Sequence, residues 1–547
     1  SRRTFLKGAA FATTGALAGF TTLAGCAPQA SGQGGVQAAT EGTPFENTVE
    51  WDAEYDVIVC GFGASGACAA IGAADNGAKV LLLEKGDATL AGGNSRYGQN
   101  FMAYTDRDLA IQYMKNMRGG HTEVQGDDVI EFLVDGFMSF HDWLIDHGLP
   151  EEHIKYATRP EYPELWPNGE DTEGFRKITI RTDERFGADR LNANLAFFTS
   201  VIKDNRDQID VWYASSADAL VQDPFTKTIH GVKTTHDGKQ YTVRAKNGVV
   251  LATGGFGSNE AMKQERMRVP SDRVKFLGFD GQDGDGINMA LKAGAASQAP
   301  SALMFGLSEI AGESWDSILT IFTQWPPSWR APQEVGKVLP MVNEKGRRFY
   351  NETQVEDCDT SRLNCAIASQ KAVYTLFDEN HVRTYEGFDE FDYFTGIGTG
   401  ELRSAIEKND NVVKADTIEE LAAAAGIDAS ALTKTVADYN AMIESGVADV
   451  YGADVANLTP LAQPPFYAAR VEACAYSTCG GVRGDIHAQA VDTDERPIPG
   501  LYVCGLDNGS LYFNDYPYGS HGGSGQANAC TTGFVAAKAA CEECGIA

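Results

Sequence analysis

The amino-acid sequence predicts an α/β protein with a Rossmann-like core. A short apolar run leads into the pattern Gly61-Phe62-Gly63-Ala64-Ser65-Gly66, and an alanine-rich helical stretch follows it. The 59 glycines of the 547-residue chain cluster near positions 61–66, 92–98, 252–257, 278–286 and 519–525. Such clusters occur where the backbone approaches a ligand closely. A hydrophobic fraction of 43 % with 22 % charged residues is ordinary for a globular chain and excludes wholesale disorder.

The charge balance limits the class of partner. The chain carries 45 Lys and Arg against 75 Asp and Glu, which gives a net charge of −30 and a pI near 4.7. Such a surface repels phosphate backbones, so no nucleic-acid partner is expected.

The first 26 residues resemble an export address. Ser1-Arg2-Arg3-Thr4-Phe5-Leu6-Lys7 matches a twin-arginine signal, and residues 8–25 form a weakly apolar stretch without acidic residues. Leu23-Ala24-Gly25-Cys26 has the form of a lipobox, in which Cys26 becomes acylated. Cleavage by an ordinary signal peptidase is the alternative. We therefore expect a signal over 1–26, a flexible linker over 27–45, and a lipoprotein on the outer side of the cytoplasmic membrane.

The mature chain opens with a dinucleotide-binding pattern. Residues 56–60 predict a strand, the glycine turn follows, a helix continues to about residue 76, and residues 79–84 predict the next strand. Gly61 makes the tight turn, Gly63 lets backbone amides approach a pyrophosphate, and Gly66 lets the helix pack closely on the strand. The helix N-terminus favours the phosphates, and Glu84 is placed to accept hydrogen bonds from ribose hydroxyls.

The glycine turn alone leaves the cofactor open between NAD and FAD. A second glycine cluster, Gly92-Gly93-Asn94-Ser95, follows Glu84-Lys85, and residues 249–256, 284–286 and 498–505 add three more motifs further along the chain. This set of motifs, from about residue 56 to 540, resembles the flavoprotein family of fumarate reductase and succinate dehydrogenase. The branch includes soluble fumarate and urocanate reductases and 3-ketosteroid dehydrogenases.

The resemblance implies an FAD-binding domain built from discontinuous segments, with a mobile α+β capping domain inserted between them. By this reading the FAD-binding domain comprises residues 46–300 and 462–547, and the capping and substrate domain comprises residues 301–461. The cofactor is then non-covalent FAD. The residues implied to bind it are Gly61, Gly63, Ala64, Ser65, Gly66, Glu84, Lys85, Gly93, Asn94, Ser95, Ala217, Gly254, Asp285, Gly505, Asp507, Gly523 and Ser524.

Local signals predict three further elements. Asp237-Gly238 between alternating stretches predicts a β-hairpin. Thr417 and Glu420 form a capping box at a helix start. A second helix is expected from Asp428 through Leu432, Val436 and Tyr439.

The same resemblance implies a reaction on a carbon–carbon double bond. In that family reduced flavin transfers hydride from its N5 atom to an activated alkene, and a side-chain acid protonates the neighbouring carbon. Glu356 occupies the proton-transfer position, where fumarate reductases have arginine. Tyr516 resembles the tyrosine with which ketosteroid dehydrogenases polarise a carbonyl, the Ser520 amide is its companion, and His521 is a further candidate acid. Packing of Tyr516 on the flavin, and pairing of Glu356 with Arg347, Arg348 or Arg362, are the structural alternatives.

Several sequence differences between this chain and the fumarate reductases argue against fumarate or succinate as substrate. Fumarate reductases have a second arginine that binds a substrate carboxylate, and its position falls at about Ser520 in this chain. The family histidine that precedes a Gly-Gly pair is also replaced, because this chain reads Ser477-Thr478 before Cys479-Gly480-Gly481. Recognition of a carboxylate by two hydrogen bonds favours arginine. We therefore expect an exported ene-reductase for an enone, steroid-like or aromatic enoate substrate. The alternatives are a dehydrogenase of the 3-ketosteroid type and a non-enzymatic flavin electron-transfer lipoprotein.

Partners and metals follow from what the sequence contains. There is no C-x-x-C-H haem motif, so we expect a separate electron donor such as a membrane or periplasmic cytochrome. Cys541-Glu542-Glu543-Cys544 admits a disulfide, idle thiols or half of an iron–sulfur or zinc site, of which the metal or cluster is the least expected. No metal ligand is assigned.

Cys60, Cys68, Cys504 and Cys530 are expected to pack as small hydrophobic side chains. The aromatic segment 315–329 is either cap core or a substrate lid.

Overall fold

The structure is a computed structural model. It describes residues 44–98, 100–118, 126–157, 175–180, 193–267, 269–305, 308–313, 317–323, 339–355, 360–386, 401–509 and 523–542. Residues 1–49 and residues 50–547 form separate units. In the first unit the structure describes a short 3₁₀ turn, Phe45–Thr48.

The larger unit is organised around a sheet with eight strands among the described residues. Five of them run parallel because helices and loops, rather than tight hairpins, connect them. The apolar runs Val57-Ile58-Val59 and Val80-Leu81-Leu82-Leu83 are buried on both faces, as parallel strands require. The eight strands are Ala53–Cys60, Val80–Leu83, Ile209–Trp212, Ser216–Gln222, Ile229–His236, Lys239–Leu251, Gln489–Val491 and Pro497–Val503.

The strand order brings distant segments of the chain to one edge. Val57 pairs with Val80 on one side and Gly248 on the other, in parallel register. Across the sheet the order is Gln489–Val491, Pro497–Val503, Lys239–Leu251, Ala53–Cys60, Val80–Leu83 and Ile209–Trp212. The last five strands of this order are mutually parallel, so their carboxyl ends lie at one edge. A Rossmann-like domain built from discontinuous segments is confirmed.

The hairpin at Asp237-Gly238 is confirmed. Strands Ile229–His236 and Lys239–Leu251 are antiparallel, and His236 pairs with Lys239 directly across the turn. Asp237 and Gly238 have φ of 50° and 73°, the left-handed conformations that a two-residue hairpin turn requires.

A second sheet contains seven strands among the described residues, and the 17-residue strand Phe466–Val482 pairs with five of the others. Its first half pairs with Val373–Asp378 and Val412–Ala415, and its second half with Ser297–Phe305. This strand belongs to the predicted FAD-binding segment 462–547, and its first half pairs with two strands of the predicted cap. The remaining strands of the sheet are Val274–Phe276, Glu309–Ile310 and Met341–Asn343.

A small antiparallel sheet and the helices complete the described elements. The sheet consists of Asn100–Tyr104, Ile154–Ala157 and Phe175–Ile180. The α-helices are Ala64–Asp75, Arg107–Arg118, Asp127–Asp146, Ala193–Asp204, Glu260–Arg266, Asp285–Ala293, Thr360–Ala368, Glu379–Glu386, Leu402–Lys408, Ile418–Ala425, Ala429–Ser445 and Ser524–Glu542. The 3₁₀ turns of the larger unit are Gly93–Arg96, Glu151–His153, Ser271–Arg273, Ile318–Phe322, Glu352–Val355 and Val455–Asn457.

Two helices rich in small residues pack against each other behind the parallel sheet. Ala64–Asp75 and Ser524–Glu542 share one hydrophobic core. A Cβ added at Gly533 would lie 2.3 Å from the Ser65 carbonyl oxygen, so the helices approach too closely there for any side chain. This contact fixes the N-terminus of the first helix relative to the C-terminal part of the chain.

The two helices predicted for the cap are confirmed. Ile418–Ala425 begins at Thr417, whose hydroxyl accepts a hydrogen bond from the Glu420 amide at 3.2 Å. Ala429–Ser445 begins at Asp428, and its residues Leu432, Val436 and Tyr439 are buried as the periodicity predicts.

The four core cysteines, Cys60, Cys68, Cys504 and Cys530, are buried and not disulfide-bonded, as predicted. Within the described ranges, the structure contains no helix that is both long and apolar enough to cross a membrane.

Candidate active site

The glycine turn has the geometry that the sequence predicts. Gly61 follows strand Ala53–Cys60 with φ of +109°, and a Cβ there would lie 2.3 Å from the Ala252 carbonyl oxygen. A Cβ at Gly66 would lie 1.8 Å from the Gly61 carbonyl oxygen. A Cβ at Gly63 would meet no atom closer than 3.7 Å, so the space beside this residue is open. Gly61 and Gly66 are therefore required by the fold, whereas Gly63 leaves room for a ligand.

The N-terminus of helix Ala64–Asp75 faces this open space. The Ser95 hydroxyl accepts a hydrogen bond from the Ala64 amide at 2.8 Å, which joins the second glycine cluster to the first helical turn. The Ser65 hydroxyl interacts with the Cys504 thiol. Helix N-termini favour phosphate through their free amides and dipole, so we expect an anion to bind between the two glycine clusters, beside the Ala64 amide that Ser95 already binds.

Glu84 lies at the end of the neighbouring parallel strand. Its Oε2 accepts a hydrogen bond from the Phe62 amide at 3.0 Å, and its Oε1 accepts one from the Gly86 amide at 2.7 Å. Burial raises the pKa of this carboxyl, although the two amides and Lys85 oppose the shift. Each carboxylate oxygen keeps a free lone pair, so Glu84 can still accept hydrogen bonds from ribose hydroxyls.

Ala217 is distant from Glu84 in the chain and close to it in space. It belongs to strand Ser216–Gln222 and pairs with Thr234. The Ser215 amide donates a hydrogen bond to the Glu84 carbonyl oxygen at 2.8 Å. The backbone around Ala217 is thus at the Glu84 end of the carboxyl edge, where the adenine is expected.

Lys85 and Asp285, both predicted to bind the cofactor, bind each other. The Lys85 ammonium lies 3.0 Å from Asp285 Oδ2 and 2.7 Å from Asp283 Oδ2. Burial alone lowers the pKa of Lys85, but these two carboxylates raise it overall. This ion pair connects the loop after Glu84 with the start of helix Asp285–Ala293.

Asn94 also connects loops. Its amide nitrogen donates a hydrogen bond to the Tyr476 carbonyl oxygen at 2.8 Å, and its Oδ1 accepts one from the Phe279 amide at 2.7 Å. The side chain therefore holds together the second glycine cluster, the 278–281 loop and the long strand. Gly93 beside it has φ of +48° and open space at its Cβ position.

Asp507 lies at the centre of a buried cluster on the other side of the glycine turn. Its Oδ2 accepts hydrogen bonds from the Thr253 amide and, at 3.2 Å, from the Gly254 amide. Its Oδ1 accepts one from the Thr253 hydroxyl at 3.1 Å, and that hydroxyl accepts one from the Gly286 amide. Burial raises the pKa of Asp507 to about 7 despite these donors. The carboxyl joins three loops at the carboxyl edge.

Three other predicted residues line the same edge. The Gly505 amide donates a hydrogen bond to the Thr532 hydroxyl at 2.9 Å, and a Cβ on Gly505 would lie 2.6 Å from the Ser65 hydroxyl oxygen. Gly523 has φ of +100°, and its carbonyl oxygen accepts a hydrogen bond from the Met102 amide. Ser524 begins the C-terminal helix, is fully buried, and its hydroxyl has no hydrogen-bond partner in the described structure.

The residues present fit FAD. Gly63 leaves open space before a helix N-terminus, and the Glu84 carboxyl lies at the end of the next strand. The buried Ser524 hydroxyl has no hydrogen-bond partner in the described structure. Among the described residues, no group of three or more His, Cys, Asp or Glu side chains has the arrangement of a metal site. Cys544 lies outside the described residues, so the predicted C-x-x-C pair is not described as a whole.

The residues predicted to perform the chemistry, Glu356, Tyr516, Ser520 and His521, lie outside the described residues, as does most of the aromatic segment 315–329. The segment before Glu356 is described. Arg348 forms two hydrogen bonds with Glu352 and a further ion pair with Asp449. The side chain of Arg347 is exposed. The guanidinium of Arg348, one of the three expected alternative partners of Glu356, is thus bound by two other carboxylates.

Sequence reasoning missed Thr253, Gln282 and Ser477. Thr253 binds Asp507, and the side chains of Gln282 and Ser477 are buried without hydrogen-bond partners in the described structure. Each of the three is a polar residue beside a glycine or within an apolar strand. This placement could have identified them in the sequence, because a polar side chain that is buried in such a position requires a hydrogen-bond partner.

Comparison with known proteins identifies the family. A family model described as an FAD binding domain matches residues 56–522. The chain belongs to this family. The predicted cofactor class is thereby confirmed.

Individual relatives extend the comparison. The chain is 26 % identical to a vinyl phenol reductase of Lactiplantibacillus plantarum, covering 84 % of this chain and 91 % of that protein. It is 25 % identical to a digoxin reductase of Eggerthella lenta, and the alignment covers 94 % of this chain and 93 % of that protein. The structure superposes on 3-ketosteroid Δ1-dehydrogenase from Sterolibacterium denitrificans with a TM-score of 0.69 at 20 % identity. The superposition covers 90 % of this chain and 100 % of that chain. The predicted family branch, fold class and FAD-dependent oxidoreductase activity on carbon–carbon bonds are confirmed.

Proposed function

We propose that this enzyme is an exported ene-reductase that reduces an activated C=C bond of an enone, steroid-like or aromatic enoate substrate. The observation that carries the proposal is the match, over most of both chains, to relatives named as reductases of vinyl phenol and of digoxin. Their names include an aromatic alkene and a steroid-derived compound, which resemble two of the three substrate types expected from the sequence: enone, steroid-like and aromatic enoate.

The charge pattern near the expected substrate supports a compound other than a dicarboxylate. Glu356 and Ser520 stand where the family resemblance implies arginine, and Arg348 is already bound by Glu352 and Asp449. A dicarboxylate would lack the paired guanidinium donors that bind it best. A neutral carbonyl needs only hydrogen-bond donors, which Tyr516 and the Ser520 amide would supply.

FAD, when bound, would supply the hydride chemistry. Gly61, Gly63, Gly66, Ser95 and Glu84 would hold its adenosine diphosphate half along the carboxyl edge of the parallel strands. Glu356 would hold the proton that completes alkene reduction, because burial of a carboxyl under an apolar cap favours its protonated form. Tyr516 and the Ser520 amide would orient the substrate carbonyl.

The domain assignment and the location in the cell are part of the proposal. Residues 46–300 with 462–547 would bind FAD, and residues 301–461 would cover the substrate. Arg2 and Arg3 would direct export, and acylated Cys26 would anchor the enzyme outside the cytoplasmic membrane. A separate carrier, such as a membrane or periplasmic cytochrome, would then supply electrons.

A reductive substrate screen tests the function. The purified FAD-loaded enzyme is mixed anaerobically with reduced viologen and one of four compounds: a vinyl phenol, a steroid enone, an unsaturated lactone or fumarate. We expect viologen oxidation and a product with two added hydrogens for at least one of the first three, with little reaction on fumarate. Preferential turnover of fumarate, or turnover only of a saturated ketosteroid with an electron acceptor, contradicts the proposal.

A further inference from the structure

Gln282 is a buried amide side chain that has no hydrogen-bond partner among the described residues. It is 3 % exposed, and within the described structure neither Oε1 nor Nε2 has a hydrogen-bond partner. Its backbone is held in place because its carbonyl oxygen accepts a hydrogen bond from the Ser258 amide at 2.9 Å. Buried carboxamides are almost always paired, because removing them from water without a partner is costly. A partner from outside the chain is therefore expected.

The carboxamide lies against the glycine loop that follows strand Lys239–Leu251. A Cβ added at Gly255 would lie 3.2 Å from Gln282 Oε1, and a Cβ added at Gly254 would lie 3.7 Å from Gln282 Cγ. The Thr478 hydroxyl, 2.0 Å from the same Cβ position of Gly255, occupies the space beside that glycine, whereas a Cβ at Gly254 would meet no other atom within 4 Å. The open space beside the Gln282 side chain is therefore at Gly254, at the carboxyl edge of the sheet.

The order of the loops along this edge tells which half of the cofactor reaches Gln282. Glu84, for the ribose, ends strand Val80–Leu83, and the glycine turn, for the pyrophosphate, ends the adjacent strand Ala53–Cys60. The next parallel strand in the same direction is Lys239–Leu251. A dinucleotide that runs from Glu84 across the glycine turn places its second half at this strand. For FAD the second half carries the flavin.

A second unpaired group lies nearby. Ser477 is 3 % exposed, and in the described part of the chain its hydroxyl has no hydrogen-bond partner. Its neighbours on either side are bound by cofactor loops: the Tyr476 carbonyl oxygen by Asn94, and the Thr478 hydroxyl by the Phe256 amide at 3.2 Å. Because successive side chains of a strand point to opposite faces, the Ser477 hydroxyl lies on the face opposite the Thr478 hydroxyl, and the unpaired group beside the Gly254-Gly255 loop is the Gln282 amide.

We propose that the Gln282 carboxamide hydrogen-bonds the flavin ring of bound FAD. A carboxamide offers two donors and one acceptor, and the polar edge of a flavin offers carbonyl acceptors and an N–H donor. Donation to a flavin carbonyl stabilises the reduced flavin, which carries more negative charge, over the oxidised form. Gln282 therefore raises the reduction potential of the bound cofactor. This inference rests on FAD binding and is independent of the substrate.

The test is the reduction potential of purified, FAD-loaded protein, measured with redox dyes without any alkene. We expect Gln282→Leu to lower the preference for reduced over oxidised flavin about tenfold, equivalent to about 30 mV for a two-electron couple. The visible absorption bands of the flavin should also shift. Gln264→Leu is the matched control, because Gln264 is exposed and bonds only to Glu260 in the described structure. Its potential should equal that of the wild type.

A second variant covers the case in which Gln282→Leu does not retain FAD. Gln282→Glu keeps the size of the side chain and replaces the donor with an acceptor, so it should lower the potential as well. Unchanged potentials and spectra in the variants that retain FAD overturn the proposal, even if their melting temperatures fall. A change confined to the substrate KM likewise overturns it. Failure of the alkene screen leaves the dye titration unaffected, so the two proposals fail separately.

Discussion

Arg348 and Glu352, four residues apart, form a buried ion pair with two hydrogen bonds. Arg348 Nε lies 2.9 Å from Glu352 Oε1, and Arg348 Nη2 lies 2.5 Å from Glu352 Oε2. Glu352 Oε1 also accepts a hydrogen bond from the Met341 amide at 3.1 Å. The pair fixes the chain just before Glu356 to the second sheet.

Removing one member of this pair should destabilise the protein strongly. Glu352→Gln removes one of the two carboxylates that bind the buried Arg348 guanidinium and leaves Asp449 in place, so it should cost about 1.5–3 kcal/mol of unfolding free energy. Asp438→Asn is the matched control, since Lys434 and Asp438 form an i,i+4 pair on an exposed helix face. The control should change the free energy by about 0.5 kcal/mol or less. Urea unfolding measures both, and equal effects would contradict the prediction.

The stability of the cofactor-free protein should depend on pH through Asp507. Its pKa is about 7 in the folded state against an ordinary 3.8. The folded protein retains this proton while the unfolded chain loses it, so stability falls as pH rises from about 4 to about 7 and stays low above that. Asp507→Asn removes this loss, which is on the order of 4 kcal/mol.

The measurement compares Asp507→Asn with the wild type by urea unfolding at about pH 5 and about pH 8, so that titrations common to both cancel. The stability of the variant relative to the wild type should increase with pH. A difference independent of pH would mean that Asp507 is ionised in the folded protein at both values.

Two glycines of the turn should respond differently to alanine. Gly63→Ala adds a methyl group into open space, so the cofactor-free protein should keep its stability within about 1 kcal/mol. The same methyl group blocks the pyrophosphate, so the FAD dissociation constant should rise at least about tenfold. Gly66→Ala drives its methyl group into the Gly61 carbonyl and should destabilise the fold itself.

Thermal melts of the cofactor-free proteins and titration with FAD separate these two effects. Gly77→Ala serves as control, because Gly77 follows the helix with φ of +83° and has no atom within 4 Å of its Cβ position. It should cost about 1–2 kcal/mol through backbone strain and leave FAD binding unchanged. Normal FAD affinity in Gly63→Ala would refute the assignment of the turn to the pyrophosphate.

Glu356→Gln tests the proton donor. The amide keeps the size and hydrogen bonding of the carboxyl and removes its proton, so alkene turnover should fall at least about 100-fold. FAD content and reduction by viologen should be unchanged. Near-normal turnover would assign the acid elsewhere, and Tyr516→Phe and His521→Gln would then be the next variants to measure.

Changing both Arg2 and Arg3 to lysine should keep the precursor inside the cell, because the paired guanidinium groups form the export address. Cell fractionation and immunoblotting give the distribution. Arg206→Lys, an exposed change in the mature chain, is the control and should leave export normal. Normal export of the doubly substituted precursor would exclude the twin-arginine route.

Local signals predicted the elements that depend on neighbouring residues. The Gly61–Gly66 turn, the Asp237-Gly238 hairpin and the helix cap at Thr417 all have the predicted geometry. In each case the energetic reason lies within a few residues: a positive φ, a close backbone approach or a capping hydroxyl. Such features are visible in a single sequence.

Contacts between residues far apart in the chain could not be predicted from these local signals. Lys85 was assigned to the cofactor, and its ammonium binds Asp283 and Asp285, 198 and 200 residues away. Asn94 was assigned in the same way, and its amide group joins Phe279 and Tyr476. Gln282 lies within the glycine cluster 278–286, but no role was assigned to it. Its importance appears only in the fold, where its side chain is buried and has no hydrogen-bond partner among the described residues.

The contact between the two small-residue helices has a consequence for biosynthesis. Ser95, which caps the first helix at Ala64, also contacts Gln526, 431 residues later in the chain. Helix Ser524–Glu542 is synthesised long after the glycine turn, so a nascent chain that lacks this helix has the turn but not the surface behind it. The site is therefore completed only once this helix has left the ribosome, and we expect FAD to bind after that point.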